Sequence, residues 1–128
     1  MKNRAIYEAA LRLLAESTIA EETADYEDRA PYLIATFCTE MSELDIQLRS
    51  MTGDTTETEY DRVYLSLDDV FPLTSRLSSA AILYLAAMLI LESDEERSDK
   101  LYEQYSDAVS RIIHALPATL HPIINKYY

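Results

Sequence analysis

The feature that most constrains this chain is one uninterrupted run of twelve apolar residues, Ala80 to Leu91, in a sequence with a net charge of −12. A helix of that length is about 18 Å long, whereas the hydrocarbon core of a bilayer is about 30 Å thick, so the run is not expected to cross a membrane. It predicts instead a core or interface helix that is apolar on all sides. Because a chain of 128 residues has few elements with which to cover such a helix, the run also predicts self-association.

The scarcity of turn residues indicates the fold class. The chain has one glycine and four prolines, whereas an all-β fold would need turn residues at about every tenth position. We therefore predict an all-α fold, formed by a single domain over residues 1–128. The expected architecture is a bundle of four helices, or five with a short helix at the C-terminus. A long polar loop is expected between the second and third helices.

The spacing of apolar residues predicts where the helices lie. The first is expected from residue 2 or 3 to residue 15, and the third from residue 76 or 78 to residue 92. Ser93 and Glu96 have the spacing of a capping box and predict the start of the fourth helix, which Pro117 ends. The second helix is predicted from an apolar stripe. That stripe consists of Leu33, Phe37, Met41, Leu44, Leu48 and Met51.

Three features interrupt this pattern. Pro31 lies within the second predicted helix, so a kink or a helix boundary is expected there. Residues 52–66 are predicted to form an exposed loop or arm, because residues 52–61 are polar and acidic. Alternation of Val63, Leu65 and Leu67 with polar neighbours favours a short strand or extended arm. Residues 117–128 are expected to form a C-terminal tail or arm.

The sequence carries no motif that indicates catalysis. A single glycine excludes a phosphate-binding loop or a dinucleotide fingerprint. His114 and His121 are separated by Pro117, which argues against a metal-binding pair. Cys38 cannot form an internal disulfide and is predicted to be a small buried apolar residue, consistent with a reducing cytosol. We expect a protein that is not an enzyme and has no catalytic residue, metal or cofactor. Clustered carboxylates that hold a divalent cation remain the minor alternative.

Charge and aromatic content point to protein partners rather than nucleic acid. Acidic residues outnumber basic ones in every part of the chain, and phosphate binding depends on lysine and arginine. The chain has ten tyrosines and no tryptophan. A tyrosine outside the core favours an interface because it buries area and keeps a hydroxyl partner. The candidate interface residues are Tyr60, Tyr64, Ile123, Ile124, Tyr127 and Tyr128.

The order of segments resembles that of a known family. AIYEAALRLLAES is followed by DYEDRA, TEMSELD and LDDVFPL, and then by AAILYLAAMLIL and DKLYEQYSDAVSRI. This order is similar to that of the head-to-tail connector, or adaptor, proteins of tailed bacteriophages and prophages. One departure concerns the first helix, which in that family often closes with Leu-Gly. Here Leu14 is followed by Ala15, so we expect the chain to reverse by another means.

The resemblance implies a structural role in virion assembly. A connector subunit forms a cyclic homo-oligomer beneath the portal and contacts portal and tail or stopper proteins. The ring encloses a channel through which double-stranded DNA passes without sequence-specific binding, and no membrane is involved. Such a protein would assemble in the bacterial cytoplasm and end in the virion neck. The alternative is a cytosolic helical adaptor or regulator that binds one protein partner through its apolar third helix.

Overall fold

The computed structural model describes residues 1–15 and 20–116. Within them the chain forms five α-helices and no strand, so the all-α prediction is confirmed for this part of the protein. The helices are α1 (Asn3–Leu14), α2 (Ala20–Glu40), α3 (Ser42–Met51), α4 (Ser78–Ile90) and α5 (Glu95–His114). A short 3-10 turn, Ser75–Leu77, leads into α4. The strand suggested by residues 63–67 does not form, and an isolated bridge between Lys2 and Val70 is the nearest feature.

The second predicted helix is divided into α2 and α3 by Met41, with φ −92° and ψ 9°. The break is slight, because the Met41 amide donates to the Phe37 carbonyl at 3.0 Å and the Asp45 amide donates to the Met41 carbonyl at 2.9 Å. The boundary considered at Pro31 is wrong, since α2 continues through this buried proline. Five helices therefore arise from a break at Met41, and the predicted short C-terminal helix lies outside the described residues.

The apolar stripe of α2 and α3 faces the core over most of its length. Phe37, Met41, Leu44 and Leu48 are buried as predicted. The prediction for Met51 is wrong, because this last residue of α3 is 45% exposed where the helix gives way to the loop. Phe37 anchors an aromatic cluster, since its ring lies within 6.4 Å of the rings of three core residues. They are Phe71, Tyr84 and Tyr105.

Helix α4 is the central element of the fold and packs against α1, α2 and α5. Eight of its thirteen residues are buried, including Leu85 and Leu89 at 1% exposure. The chain itself covers most of this helix, and Ala80, Ala81, Ala86 and Ala87 are among the buried residues. Ile82, Leu83 and Met88 stay partly exposed, and Leu91, just past the helix, is 43% exposed. Self-association through the apolar run stays a prediction.

Helix α5 packs against α4 through a small polar residue as well as through apolar contacts. The Ser98 hydroxyl donates to the Ala87 carbonyl of α4 over 2.8 Å, and this hydrogen bond is buried. The start of α5 differs by one residue from the predicted capping box. Asp94 rather than Ser93 caps the helix, because its carboxylate accepts from the Arg97 amide at 3.0 Å.

Helix α1 ends without the glycine that often closes a helix. Ala15 has φ 54° and ψ 32°, which is the left-handed conformation that glycine usually supplies at a helix C-terminus. Its amide donates to the Arg12 carbonyl at 3.0 Å. The helix therefore ends in the usual left-handed conformation without glycine, and Ala15 adopts it at a steric cost. The reversal that follows lies outside the described residues.

Candidate protein-interaction surface

The connecting segment, residues 52–74, links α3 to the turn before α4, and a buried carboxylate on α3 holds it in place. Asp45 has no exposed surface. Its Oδ1 accepts from the Thr74 amide at 2.7 Å, and its Oδ2 accepts from the Tyr60 hydroxyl at 2.6 Å. A buried carboxylate needs such partners, because an uncompensated charge in the interior is strongly unfavourable. One side chain thus fixes both the middle and the end of the segment.

Arg49, one turn after Asp45, completes this arrangement. Its Nε donates to Asp45 Oδ2 at 2.8 Å, and one terminal nitrogen pairs with Asp54 Oδ2 at 2.9 Å. The other donates to the Pro72 carbonyl at 2.6 Å. The guanidinium therefore uses its fixed fork of donors on three acceptors. Asp45 and Arg49 together tie four points of the connecting segment to α3.

Tyr60, a predicted interface residue, belongs to this internal network. Burial, followed by the hydrogen bond to Asp45 and the charge of that carboxylate, raises its pKa to about 12. Its backbone carbonyl also accepts a hydrogen bond of 2.6 Å from the Thr39 hydroxyl of α2. Tyr60 therefore anchors the connecting segment, and its hydroxyl is already engaged within the chain.

The second half of the connecting segment binds the start of α1. The Asn3 and Arg4 amides, which lack helical acceptors, donate to the carbonyls of Asp69 at 2.9 Å and Leu67 at 2.8 Å. The buried Asn3 side chain donates from Nδ2 to the Ser66 carbonyl at 2.9 Å. These contacts satisfy amides at the start of α1, which has no side-chain cap. They also give the carbonyls of residues 66, 67 and 69 hydrogen-bond donors without strand pairing.

An exposed aromatic pair lies where this segment passes α2. The rings of Tyr32 and Tyr64 meet edge to face, with centroids 5.1 Å apart and an interplanar angle of 71°. They are 56% and 46% exposed. Together with Pro31 and Leu67 they line a cleft of about 490 Å³, here called the tyrosine cleft. Its remaining lining residues are Arg4, Glu27, Asp28, Ser66 and Asp68.

The tyrosine cleft is acidic. Arg4 is the one basic residue in its lining, against the carboxylates of Glu27, Asp28 and Asp68. The guanidinium of Arg4 lies 3.3 Å from Glu27 Oε1 and 3.2 Å from Asp68 Oδ1, and these hydrogen bonds raise its pKa. One positive charge is shared between two carboxylates, while Asp28 adds a third. The cleft therefore combines uncovered aromatic area with a net negative charge.

The structure separates the six predicted interface residues into three groups. Tyr64 is exposed at the tyrosine cleft, and Tyr60 is an internal anchor. The other four lie outside the described residues. These are Ile123, Ile124, Tyr127 and Tyr128.

Tyr32 was not among the residues predicted from the sequence. The signal available was an aromatic residue directly after Pro31 that falls beside the apolar stripe rather than on it.

The one cysteine of the chain, Cys38, is buried and free. Burial, with a smaller contribution from the charge of Asp45, raises the pKa of the Cys38 thiol to about 12. A thiol of this kind is protonated at neutral pH and is a poor nucleophile. Among the described residues, no group of three or more His, Cys, Asp or Glu side chains is placed to hold a metal ion. Nor does this part of the chain contain a helix long and apolar enough to span a membrane.

Comparisons with known proteins do not assign a family. No family model matches the chain, and neither the curated proteins nor the solved structures contain a match to it.

Proposed function

We propose that this chain is a subunit of the ring-forming head-to-tail connector of a tailed bacteriophage or prophage. The observation that carries the proposal is the order of its segments, which resembles the order in that family. Those segments form α1, the α2–α3 pair, the second half of the connecting segment, α4 and α5. The ring would lie beneath the portal, between portal and tail or stopper proteins, after assembly in the bacterial cytoplasm.

The charge of the chain supports a role beside DNA without binding to it. Its net charge is −12, and acidic residues dominate each third of the sequence. Protein affinity for the DNA backbone comes from lysine and arginine, which release counterions as they neutralise phosphates. A channel formed by an acidic protein would repel phosphates and let a duplex slide.

Assembly contacts in this proposal lie outside the helical core. Helix α4 is mostly covered by its own chain, so the proposal places the ring contacts on other surfaces. The tyrosine cleft offers one, and Val63, next to Tyr64 in the chain, is 81% exposed. Aromatic residues with a polar rim are typical of interfaces between proteins that also exist apart. We propose the tyrosine cleft as part of the contact surface.

The adaptor alternative requires a partner to bind the apolar helix, and that helix is α4. Because α4 packs against α1, α2 and α5, the apolar surface it leaves for a partner is limited to its partly exposed residues, Ile82, Leu83 and Met88. No observation among the described residues favours this alternative over the connector.

The test of the connector proposal is co-assembly with a portal ring. The chain is mixed with the portal protein encoded in the same genome, and the mixture is separated on a density gradient and imaged by electron microscopy. We expect the chain to sediment with the portal as a ring of defined stoichiometry. A genome without a portal gene, or a portal ring that leaves the chain at the top of the gradient, contradicts the proposal.

DNA binding gives a second and independent measurement. The fluorescence anisotropy of a labelled duplex is expected to stay constant as the chain is added at low salt, because acidic residues outnumber basic ones by 23 to 11. Tight binding that weakens steeply with salt would contradict a channel that DNA passes freely.

A further inference from the structure

The tyrosine cleft has the composition of a site that receives a cationic, planar group. Two exposed rings, Tyr32 and Tyr64, contact each other edge to face with centroids 5.1 Å apart, so a partner side chain packs against their outer, uncovered faces. The face of an aromatic ring attracts cations through its quadrupole. An uncovered pair of tyrosines on an acidic surface therefore favours a positively charged partner group.

The carboxylates of the cleft have acceptor capacity beyond what Arg4 uses. Both hydrogen bonds from Arg4 to Asp68 go to Oδ1, which leaves Oδ2 as a further acceptor. Asp28 is exposed and makes no ion pair within the part of the chain that the structure describes. A second cation would therefore meet two carboxylates without displacing Arg4. An anionic or purely apolar occupant would leave these charges uncompensated.

The cleft is held in shape before any partner arrives. The Leu65 amide, next to Tyr64, donates to the Pro31 carbonyl at 3.1 Å, and Pro31 precedes Tyr32. On the other side of Tyr64, the Tyr60 carbonyl is held by Thr39. These hydrogen bonds hold the part of the connecting segment that carries Tyr64 against α2, which carries Tyr32. A preformed site loses less conformational entropy on binding.

We infer that the tyrosine cleft is a docking site for an arginine side chain of a partner protein. Arginine satisfies both features, since its planar guanidinium stacks on aromatic rings and donates paired hydrogen bonds to carboxylates. Lysine offers a more strongly hydrated point charge that does not stack. The inference rests on the cleft alone and does not depend on the partner being a virion protein, so it can fail while the connector proposal stands.

The experiment is a nuclear magnetic resonance titration of the full chain with N-acetyl-arginine amide. Two probes are compared with it: the citrulline analogue, which has nearly the same shape without the charge, and the lysine analogue, which has the charge without the plane. We expect saturable shifts around Tyr32 and Tyr64 with arginine, weaker binding with lysine and none with citrulline. Equal binding of citrulline or of lysine would overturn the inference.

Matched variants locate the site. Tyr64→Leu and Asp28→Asn are expected to weaken arginine binding about two- to five-fold, the range that one cation–π contact or one exposed charge pair supplies. Tyr102→Leu and Asp99→Asn are the controls, because Tyr102 is a 44% exposed tyrosine and Asp99 an exposed aspartate on α5. Equal weakening by the controls, or shifts spread along α5, would show general attraction to an acidic surface and would overturn the inference. If Tyr64→Leu alters the unliganded spectrum widely, Tyr32→Leu carries the same test.

Discussion

Replacing Asp45 with asparagine tests whether one buried carboxylate holds the connecting segment to α3. Asparagine preserves the shape of the side chain, and its oxygen can still accept from the Thr74 amide, which lies 2.7 Å from Asp45 Oδ1. Its amide nitrogen would then face the Nε–H of Arg49, where two donors oppose each other. The hydroxyl of Tyr60 can rotate to accept a hydrogen bond, but Arg49 cannot.

The stability lost in Asp45→Asn depends on which hydrogen bonds the partners of Asp45 retain. Removing one member of a buried ion pair costs about 3–5 kcal/mol. Arg49 retains the Asp54 carboxylate at 2.9 Å and the Pro72 carbonyl at 2.6 Å, so its charge is not left without partners. We therefore expect the lower end of that range, about 3 kcal/mol. This is a large share of the roughly 5–15 kcal/mol by which a domain is stable.

The assay is urea unfolding of Asp45→Asn beside the wild-type chain. A loss of about 3 kcal/mol lowers the midpoint by about 2 M urea for a domain of this size. Asp99→Asn is the control, and as an exposed aspartate it should change the stability by less than about 0.5 kcal/mol. Hydrogen exchange at the Thr74 amide gives a local reading and should become faster. If Asp45→Asn and Asp99→Asn cost the same, the reasoning is refuted.

The remaining predictions concern the core, a strained turn and a buried tyrosine. Leu89→Lys should cost several kcal/mol or prevent folding, because Leu89 is 1% exposed, whereas Leu91→Lys at 43% exposure should be tolerated; equal melting temperatures would contradict the burial of α4. Ala15→Gly should stabilise the chain by about 1 kcal/mol in urea unfolding, since glycine adopts φ 54° without strain, and a loss of stability would show that the turn is unstrained. Because burial raises the pKa of Tyr60 to about 12, the folded chain favours its neutral hydroxyl. This contribution to stability is complete below the unfolded pKa of about 10 and is lost as the pH rises through 12. Urea midpoints measured across this range should therefore fall more for wild type than for Tyr60→Phe, and parallel falls would contradict the shift.

The sequence was most informative where the pattern is local and repeated. Scarce glycine and regular apolar spacing predicted an all-α chain, and the starts of α1 and α4 lie at or within two residues of the predicted positions. The stripe from Phe37 to Leu48 faces the core because periodicity alone determines which face of a helix is apolar. Such predictions need no knowledge of distant contacts.

Features that depend on distant contacts could not be predicted in this way. Periodicity does not show that α1, α2 and α5 converge on the apolar run and bury eight of the thirteen residues of α4. Tyr60 was predicted to be exposed, since nothing in its neighbourhood reveals that a carboxylate fifteen residues earlier accepts its hydroxyl. The Asp45–Arg49 spacing of four residues was the available signal, but it is also common on solvated helix faces.

Hydrogen exchange of the α4 amides at two protein concentrations tests most directly the claim that this chain covers its own apolar helix. If one chain is sufficient, the amides of α4 are among the slowest to exchange, and dilution does not change their rates. If neighbouring copies cover the helix instead, protection of α4 falls as the chain is diluted while protection of α1 persists, and that result would contradict the fold described above.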